Sequence, residues 1–418
     1  MRAVIDTSVD NLMPRSADAV VIGAGMVGAA IAAALAATGR RVVVVDRRGP
    51  LGGTTAAGEG NILVSDKLPG PELTLALRSV ALWRELAAEV GVAAEAGGVG
   101  GASLEFEFEA KGGVVVAHDE AQLAALRELG RQQAAAGIEV RALDPGGLRE
   151  AEPRIAPGLA GGAFYPQDSQ VQPMKAALAL LGRARRDGAQ VTGGADVLAL
   201  DRGPDGAVAG LVTSRGRVAA PVVVNAAGPW SGEVADRLGT SVPVRPRRGR
   251  ILVTEPLPAA VIRHKVYEAD YVGAVVSDSG ALQCSAVVEG TASGTVLVGS
   301  SRDAAGFSAA PDPAALAEMA RRAVRLFPFL ARVRAIRSYT GFRPASPDHL
   351  PVIGVDVEVP GLFHATGHEG AGIGLAPATA ELITALVAGT ATPVDPAPFA
   401  PARFPGSAST MEASASAH

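Results

Sequence analysis

Three glycines in the run Gly23-Ala-Gly25-Met-Val-Gly28 stand between a short β-branched stretch, Ala19-Val-Val-Ile22, and an alanine-rich segment, Ala29 to Thr38, of helical composition. At this spacing glycines permit a tight turn, close approach of backbone to a pyrophosphate, and close helix–strand packing. The positive end of the helix then faces the phosphates. A second β-branched strand, Arg41-Val-Val-Val-Val-Asp46, ends in an acid 46 − 28 = 18 residues past the last glycine. A carboxylate there accepts hydrogen bonds from a ribose hydroxyl pair. A glycine run alone is an ordinary turn. Strand, helix, second strand and acid in one register define a βαβ dinucleotide-binding unit, with Gly23, Gly25, Met26, Val27, Gly28, Asp46 and Arg47 on the ligand side.

Further chemistry is scattered along the chain. Gly52-Gly-Thr-Thr-Ala-Ala-Gly58-Glu-Gly60-Asn61 is a loop of small and hydroxyl-bearing residues, suited to lie against a flat ring system and equally suited to be a linker. Arg343 sits in a stretch otherwise short of charge, Gly341-Phe-Arg-Pro-Ala-Ser346, and its planar fork matches a carboxylate bidentately. The bland alternative is a structural ion pair with Asp348. Arg302 is a second candidate anchor, but Asp303 beside it points to a surface pair. His368 and Glu369, in the turn Gly367 to Gly372, are candidates for acid–base work, against the reading that the histidine only bonds backbone. His264, Tyr267, Glu268 and Tyr271 fall in a strand-rich segment suited to a pocket wall, the tyrosines equally to packing. No HExxH helix or cysteine cluster supports a metal, and no GxSxG supports a hydrolase.

The elements that must position these residues alternate. Leu73 to Val90 is an amphipathic helix, and Gly97 to Val116 reads as a half-buried strand because Leu104, Phe106 and Phe108 alternate with Glu105, Glu107 and Glu109. Helices are expected over 120–136, 174–187 and 313–327, a β-meander over 195–224, strands over 251–298, and a strand, glycine turn and final helix over 361–382. Interleaving implies an α/β protein with two intertwined domains. A Rossmann-type domain is expected from 17–97, 155–242 and 337–395, and a substrate domain on a mixed, largely antiparallel sheet from 98–154 and 243–336. A loose extension is expected at 1–16 and a disordered Pro/Ala/Ser-rich tail at 396–418. The 38 basic and 42 acidic residues give a net charge of −4, which excludes a polyanion-binding surface and so nucleic acid. The longest apolar run, Met26 to Ala37, is far short of the ~20 residues of a membrane span. A single cysteine, Cys284, fits a reducing, cytoplasmic location.

Taken together, these motifs resemble the D-amino acid oxidase superfamily of FAD-dependent oxidoreductases over about Ala17 to Gly389. The resemblance rests on the opening fingerprint, Thr54-Thr-Ala-Ala-Gly58, Asp168 to Pro173, Asn225-Ala-Ala-Gly228-Pro-Trp230, Gly341-Phe-Arg-Pro344, Leu350-Pro-Val-Ile-Gly354 and Thr366-Gly-His-Glu-Gly-Ala-Gly372. Gly58-Glu-Gly-Asn-Ile-Leu63, Val298-Gly-Ser-Ser-Arg302 and Gly367-His-Glu-Gly370 look most like the hydroxyproline and opine dehydrogenase branch. It implies FAD held by Gly23, Gly25, Gly28, Asp46, Thr54, Thr55, Gly58, Val171 and Gly228. Gly53, Ala57, Gly60, Asn61, Ala227 and Trp230 complete that set. Gly367, His368, Gly370, Ala371, Gly372 and Ile373 would flank the pyrimidine end of the flavin, where helix-start amides favour negative charge. Some members tether flavin to a cysteine where this chain has Ser338 and Tyr339, so FAD is expected to be non-covalent. The sarcosine oxidase branch carries a lysine above the flavin where this chain offers Leu297, which weighs against direct use of oxygen.

The function so implied is oxidation of the C–N bond of a small amino or imino acid by hydride transfer to flavin N5, with Arg343 gripping the carboxylate and electrons leaving to a partner subunit or carrier. The alternatives are a true oxidase releasing hydrogen peroxide, a flavin-binding subunit silent without its partner, and a nicotinamide-dependent dehydrogenase sharing only the Rossmann fingerprint.

Overall fold

In the computed structural model, which describes residues 13–95, 106–275 and 279–404, the two β-branched runs pair in parallel as Ala19–Ile22 and Val42–Asp46. Both strands are buried almost throughout, as parallel strands covered on two faces require. Val223–Asn225 and Leu362–Thr366 extend the sheet on one side and Gln190–Gly193 on the other, all in parallel. Val352–Val355 closes one edge antiparallel to Leu362–Thr366, making six strands. Helix Met26–Ala37, mostly alanine with one glycine, packs against both Pro173–Arg186 and Gly372–Ala388. The start of the first helix and the start of the last are thereby brought to the same end of the sheet.

A second sheet has eight strands in the order Ala335–Ala345, Arg245–Thr254, Val296–Arg302, Gln283–Gly290, Lys265–Glu268, Gly113–Ala117, Gly161–Tyr165 and Arg141–Leu143. Its one parallel contact is Lys265–Glu268 on Gly113–Ala117; every other neighbour is antiparallel. This is the mixed, largely antiparallel sheet expected of the sequence. The meander forms as well, as Val197–Arg202, Val208–Thr213 and Gly216–Ala219. No helix among the described residues is long and apolar enough to cross a membrane.

Four expectations differ from what is seen. Leu104 and Glu105 lie outside the described residues, and Phe106 to Gly112 makes only an isolated bridge, Glu109 with Gln170; the regular strand is Gly113–Ala117. Gly161–Tyr165 and Ala335–Ala345, the first assigned by sequence to the nucleotide domain and the second split between the two, are both strands of the eight-stranded sheet. Before the first strand, Ser16 bridges Ala219 and so is not loose. Nor does the chain end at 395: Ala397–Phe399 and Pro401–Arg403 form short 3-10 turns, Phe399 is buried, and Arg403 pairs with Asp348 at 2.7 Å. One aromatic and one ion pair outweigh a composition that reads as tail; residues 405–418 lie outside the description.

Asp168 ties the loop after Asn61 to the eight-stranded sheet. Its fully buried carboxyl accepts from the amides of Val64 at 2.8 Å and Ser65 at 3.3 Å and from the Ser65 hydroxyl, which in turn accepts from Tyr267 Oη at 2.6 Å. Burial pushes the group up to about 7, against the pull of those donors. A carboxyl whose folded value lies above its unfolded one, about 3.9, stabilises the fold below that value, and the contribution is lost as pH rises towards 7. Asp168→Asn, which keeps a neutral acceptor, is expected to remove this slope. Between pH 4 and pH 7 the difference in unfolding free energy between the two proteins should change by roughly 1.4 kcal/mol per pH unit, as read from denaturant melts at several pH values.

Candidate active site

A long cleft of about 1590 Å³ of empty space, partly open to solvent, runs from the glycine turn to the eight-stranded sheet. At one end Gly23 holds φ of +105°, and a Cβ there would fall 2.5 Å from Ala226 O. A Cβ on Gly28 would fall 1.9 Å from Gly23 O. Only glycines allow the chain to turn from strand into helix this tightly. Helix Met26–Ala37 has neither a side-chain cap at Gly25 nor an acid in its first turn, so its partial positive charge is left for an anion in the cleft. Thr55 Oγ1 accepts from Met26 N at 2.9 Å and fastens the 54–57 loop to the helix start. Asp46 lines the cleft at the end of its strand, its oxygens held by the amides of Ala24, Arg48 and Gly49 at 2.8–2.9 Å. A carboxylate has about four acceptor positions, so capacity for a sugar hydroxyl remains.

Further along, Trp230 closes one side, with Arg47 stacked at 4.4 Å over its ring and Phe307 parallel to it at 5.2 Å. The last helix, Gly372–Ala388, also starts at the cleft with no side-chain cap and no acid in its first turn. Two helix starts without an acid, a carboxylate with acceptor capacity to spare and walls of glycine, alanine and threonine suit a pyrophosphate-linked dinucleotide with a flat, electron-accepting ring. Cys284 does not line the cleft, and the sequence holds no other thiol.

Further on are Arg343, on the cleft, and Arg302, which stacks on the cleft residue Tyr271 without itself lining the cleft; the presumed acids of both are engaged elsewhere. Asp348 belongs to Arg403, not to Arg343. Asp303 belongs to Arg248 and Arg250, at 2.9 and 3.1 Å, not to Arg302. Arg343 lines the cleft and spends Nη1 on Ser301 O at 2.9 Å. It lies so close to the neighbouring strand that a Cβ on Gly249 would fall 2.2 Å from that nitrogen. Burial, and next the charge of Arg302, pull its guanidinium below the usual value. Arg302 is 3% exposed, stacks at 4.7 Å on the ring of Tyr271, and leaves Nε and Nη1 without hydrogen-bond partners. Among the described residues neither arginine has a direct ion-pair partner; the carboxylates of Glu369 and Glu59 act on them only at longer range.

His368 and Glu369 are both at the cleft, but neither has the character of a base near neutral pH. Burial alone lowers His368 to about 3, and its Nε2 is bonded to Thr379 Oγ1 at 3.0 Å. For Glu369 burial works in the opposite sense, yet the bond from His349 and the charges of Arg302 and Arg247 outweigh it and hold the carboxylate at about 2. Arg247 reaches it at 2.6 Å and His349 at 3.1 Å. Tyr271 lines the cleft. Tyr267 lies fully buried behind it, ring centres 5.2 Å apart, its hydroxyl on Ser65. His264 does not reach the cleft; it pairs with Glu152 at 3.0 Å and meets Phe164 edge-on. Of the expected cofactor residues, Gly25, Met26, Val27, Arg47, Gly53, Thr54, Ala57, Gly58, Asn61, Ala227, Gly228, Gly370 and Ile373 line the cleft, whereas Gly28, Gly60, Val171, Gly367 and Ala371 stand just outside it. Residues not foreseen include Glu59, Phe342, and Ala195 to Val197.

Fold and site together define a flavin-dependent oxidoreductase. The chain belongs to the DAO family of FAD-dependent oxidoreductases, whose family model matches residues 18–386. It is 30% identical to hydrogen cyanide synthase subunit HcnC of Pseudomonas aeruginosa, over 94% of this chain and 97% of that protein. It is likewise 30% identical to glycine oxidase of Pseudomonas putida, over 92% and 98%. The crystal structure of glycine oxidase from Geobacillus kaustophilus superposes with a TM-score of 0.83 at 28% identity, covering 94% of this chain and all of that one.

The FAD site is testable at its tightest point. Gly23→Ala places a Cβ at a left-handed φ and against Ala226 O, a strain of about 1–3 kcal/mol, equivalent to about 5- to 150-fold in affinity. The variant is expected to purify with less yellow flavin and to bind added FAD correspondingly more weakly by fluorescence titration.

Proposed function

We propose that this protein oxidises the CH–NH or CH–NH2 bond of a small amino or imino acid, binding the substrate's carboxylate at Arg343. One observation carries the reading: the half-buried Arg343 lines the cleft and the buried Arg302 stacks on the cleft residue Tyr271, with the acids nearest them in sequence committed to other arginines. Buried charge without a partner is costly, and a planar carboxylate satisfies such a fork bidentately. The glycine oxidase relatives favour a substrate of this size. FAD, held by the glycine turn and the two helix starts, would supply the two-electron oxidant for the C–N bond. Arg343, locked between Gly249 and Ser301 O, fixes which face of the α-carbon is presented. Tyr271 and the neutral His368 line the cleft there and limit the water around the amine. Glu369, ionised and spoken for by Arg247 and His349, orders the wall without taking a proton.

Electrons then pass to a partner subunit or carrier in a reducing, cytoplasmic setting. Leu297, at the place of the lysine that assists oxygen in the sarcosine oxidase branch, and the relative whose name marks it as a subunit of a larger synthase support that acceptor.

Anaerobic mixing of the yellow protein with glycine, sarcosine, proline, D- and L-hydroxyproline and opines is expected to bleach the flavin with one of these classes. Arg343→Lys should keep the colour while raising the half-saturating concentration on the order of 100-fold, the loss of a charge-assisted bidentate bond. Bleaching by none of them would refute amine oxidation. Stoichiometric peroxide under air would replace the carrier with oxygen.

A further inference from the structure

The loop after Asp46 brings a carboxylate to the same cleft. Glu59 lines the cleft with its side chain only 8% exposed. One oxygen, Oε2, is held by Asn61 Nδ2 at 3.0 Å and by Lys265 Nζ at 3.3 Å. The other, Oε1, is buried and has no hydrogen-bond partner at all. It lies against the backbone of Gly299, where a Cβ would fall 2.1 Å away. The lysine that holds Glu59 is itself shared: Lys265 Nζ reaches Glu289 Oε2 at 2.6 Å and also bonds Asn61 Oδ1. Burial works against the charge of Lys265, but Glu289 and Glu59 outweigh it and keep the ammonium above its ordinary range. With two carboxylates against one ammonium, the trio carries one net negative charge. Tyr339, half-buried, is pushed up first by desolvation and then by the charges of Glu59 and Glu289. Arg343 also feels the charge of Glu59 across the cleft.

A buried carboxylate oxygen without a donor costs about 1–3 kcal/mol or more, and Lys265, the cation that could neutralise Glu59, is divided with Glu289. We infer that Glu59 Oε1 is the subsite for the substrate's amino group: it receives an N–H of the ammonium or amine while Arg343 receives the carboxylate. Asn61 and Lys265 are positioning residues that hold Glu59 in place. The two subsites carry opposite charge at the two ends of a small zwitterion, so the pair selects α-amino and α-imino acids over hydroxy acids or simple carboxylates of the same size. This rests on the reading of the cleft as an amino-acid site, and it names the residue that recognises the nitrogen.

The test uses the FAD-loaded protein and calorimetric binding, with glycine, sarcosine and proline as zwitterionic probes, acetate and glycolate as carboxylates without an amine, and methylamine as an amine without a carboxylate. Glu59→Gln, nearly isosteric, is expected to weaken the zwitterions and methylamine roughly 10- to 100-fold, the worth of one bond to a charged group, and to leave acetate and glycolate unchanged. Arg343→Lys should show the reverse preference, losing carboxylates and sparing methylamine. Glu59→Asp should recover part of the zwitterion binding. Equal weakening of acetate and glycine in Glu59→Gln, or no change in either, overturns the inference while leaving amine oxidation standing. Zwitterions that bind the wild-type protein yet never bleach its flavin overturn the oxidation reading alone.

Discussion

An α-helix cannot satisfy its own first amides, and this fold aims two such ends, those of Met26–Ala37 and Gly372–Ala388, at one cleft. Much else follows from that constraint. The ends meet because the two helices pack on each other, which the alanines and glycines of the first one permit. Neither first turn carries an acid, so neither helix end is neutralised from within its own chain segment. The strands that deliver the chain to these turns are short and buried, so that the turns, not the strands, face outward. The second sheet then supplies what a helix end does not: side chains of both signs, set at fixed distances along extended backbone.

Those charges are sorted by strand geometry. On an extended strand successive side chains point to opposite faces, so in Arg247-Arg248-Gly249-Arg250 the second and fourth residues share Asp303 while the first crosses to Glu369. The same alternation sends Arg302 away from Asp303, its neighbour in sequence. Pairing by adjacency, the natural first reading of Arg302-Asp303, fails for this reason. For Arg343 it fails for another: the partner of Asp348 is Arg403, 55 residues away in a segment whose composition suggests no structure.

What was legible in the chain was therefore whatever depends on local backbone. The glycine fingerprint, Asp46, the meander, the helices and the order of family motifs all express short-range constraints, and each is found where expected. The glycine turn at 367–372 marked His368 and Glu369 as cleft residues, but their character was not legible, since it comes from burial and from Arg247, His349 and Thr379 in other elements. Glu59 was hidden in a loop that reads as small and flexible, and its meaning appears only beside Lys265, Glu289 and Gly299. His264, in contrast, was placed near the pocket by sequence proximity to Tyr267 and Tyr271, and the strand carries it to Glu152 instead.

The segment from Ala397 to Arg403 has a consequence beyond its ion pair. It packs against Val352–Val355, the outermost strand of the six-stranded sheet, with Pro401 3.0 Å from where a Cβ on Gly354 would stand. An outer strand with free backbone donors and acceptors is a template for a foreign strand, and covering it is one way proteins stay apart from one another. The two short turns pack on this strand without joining the sheet. A chain cut after Asp395 would keep every residue of the cleft, yet strip the outermost strand of this packing and Asp348 of its partner.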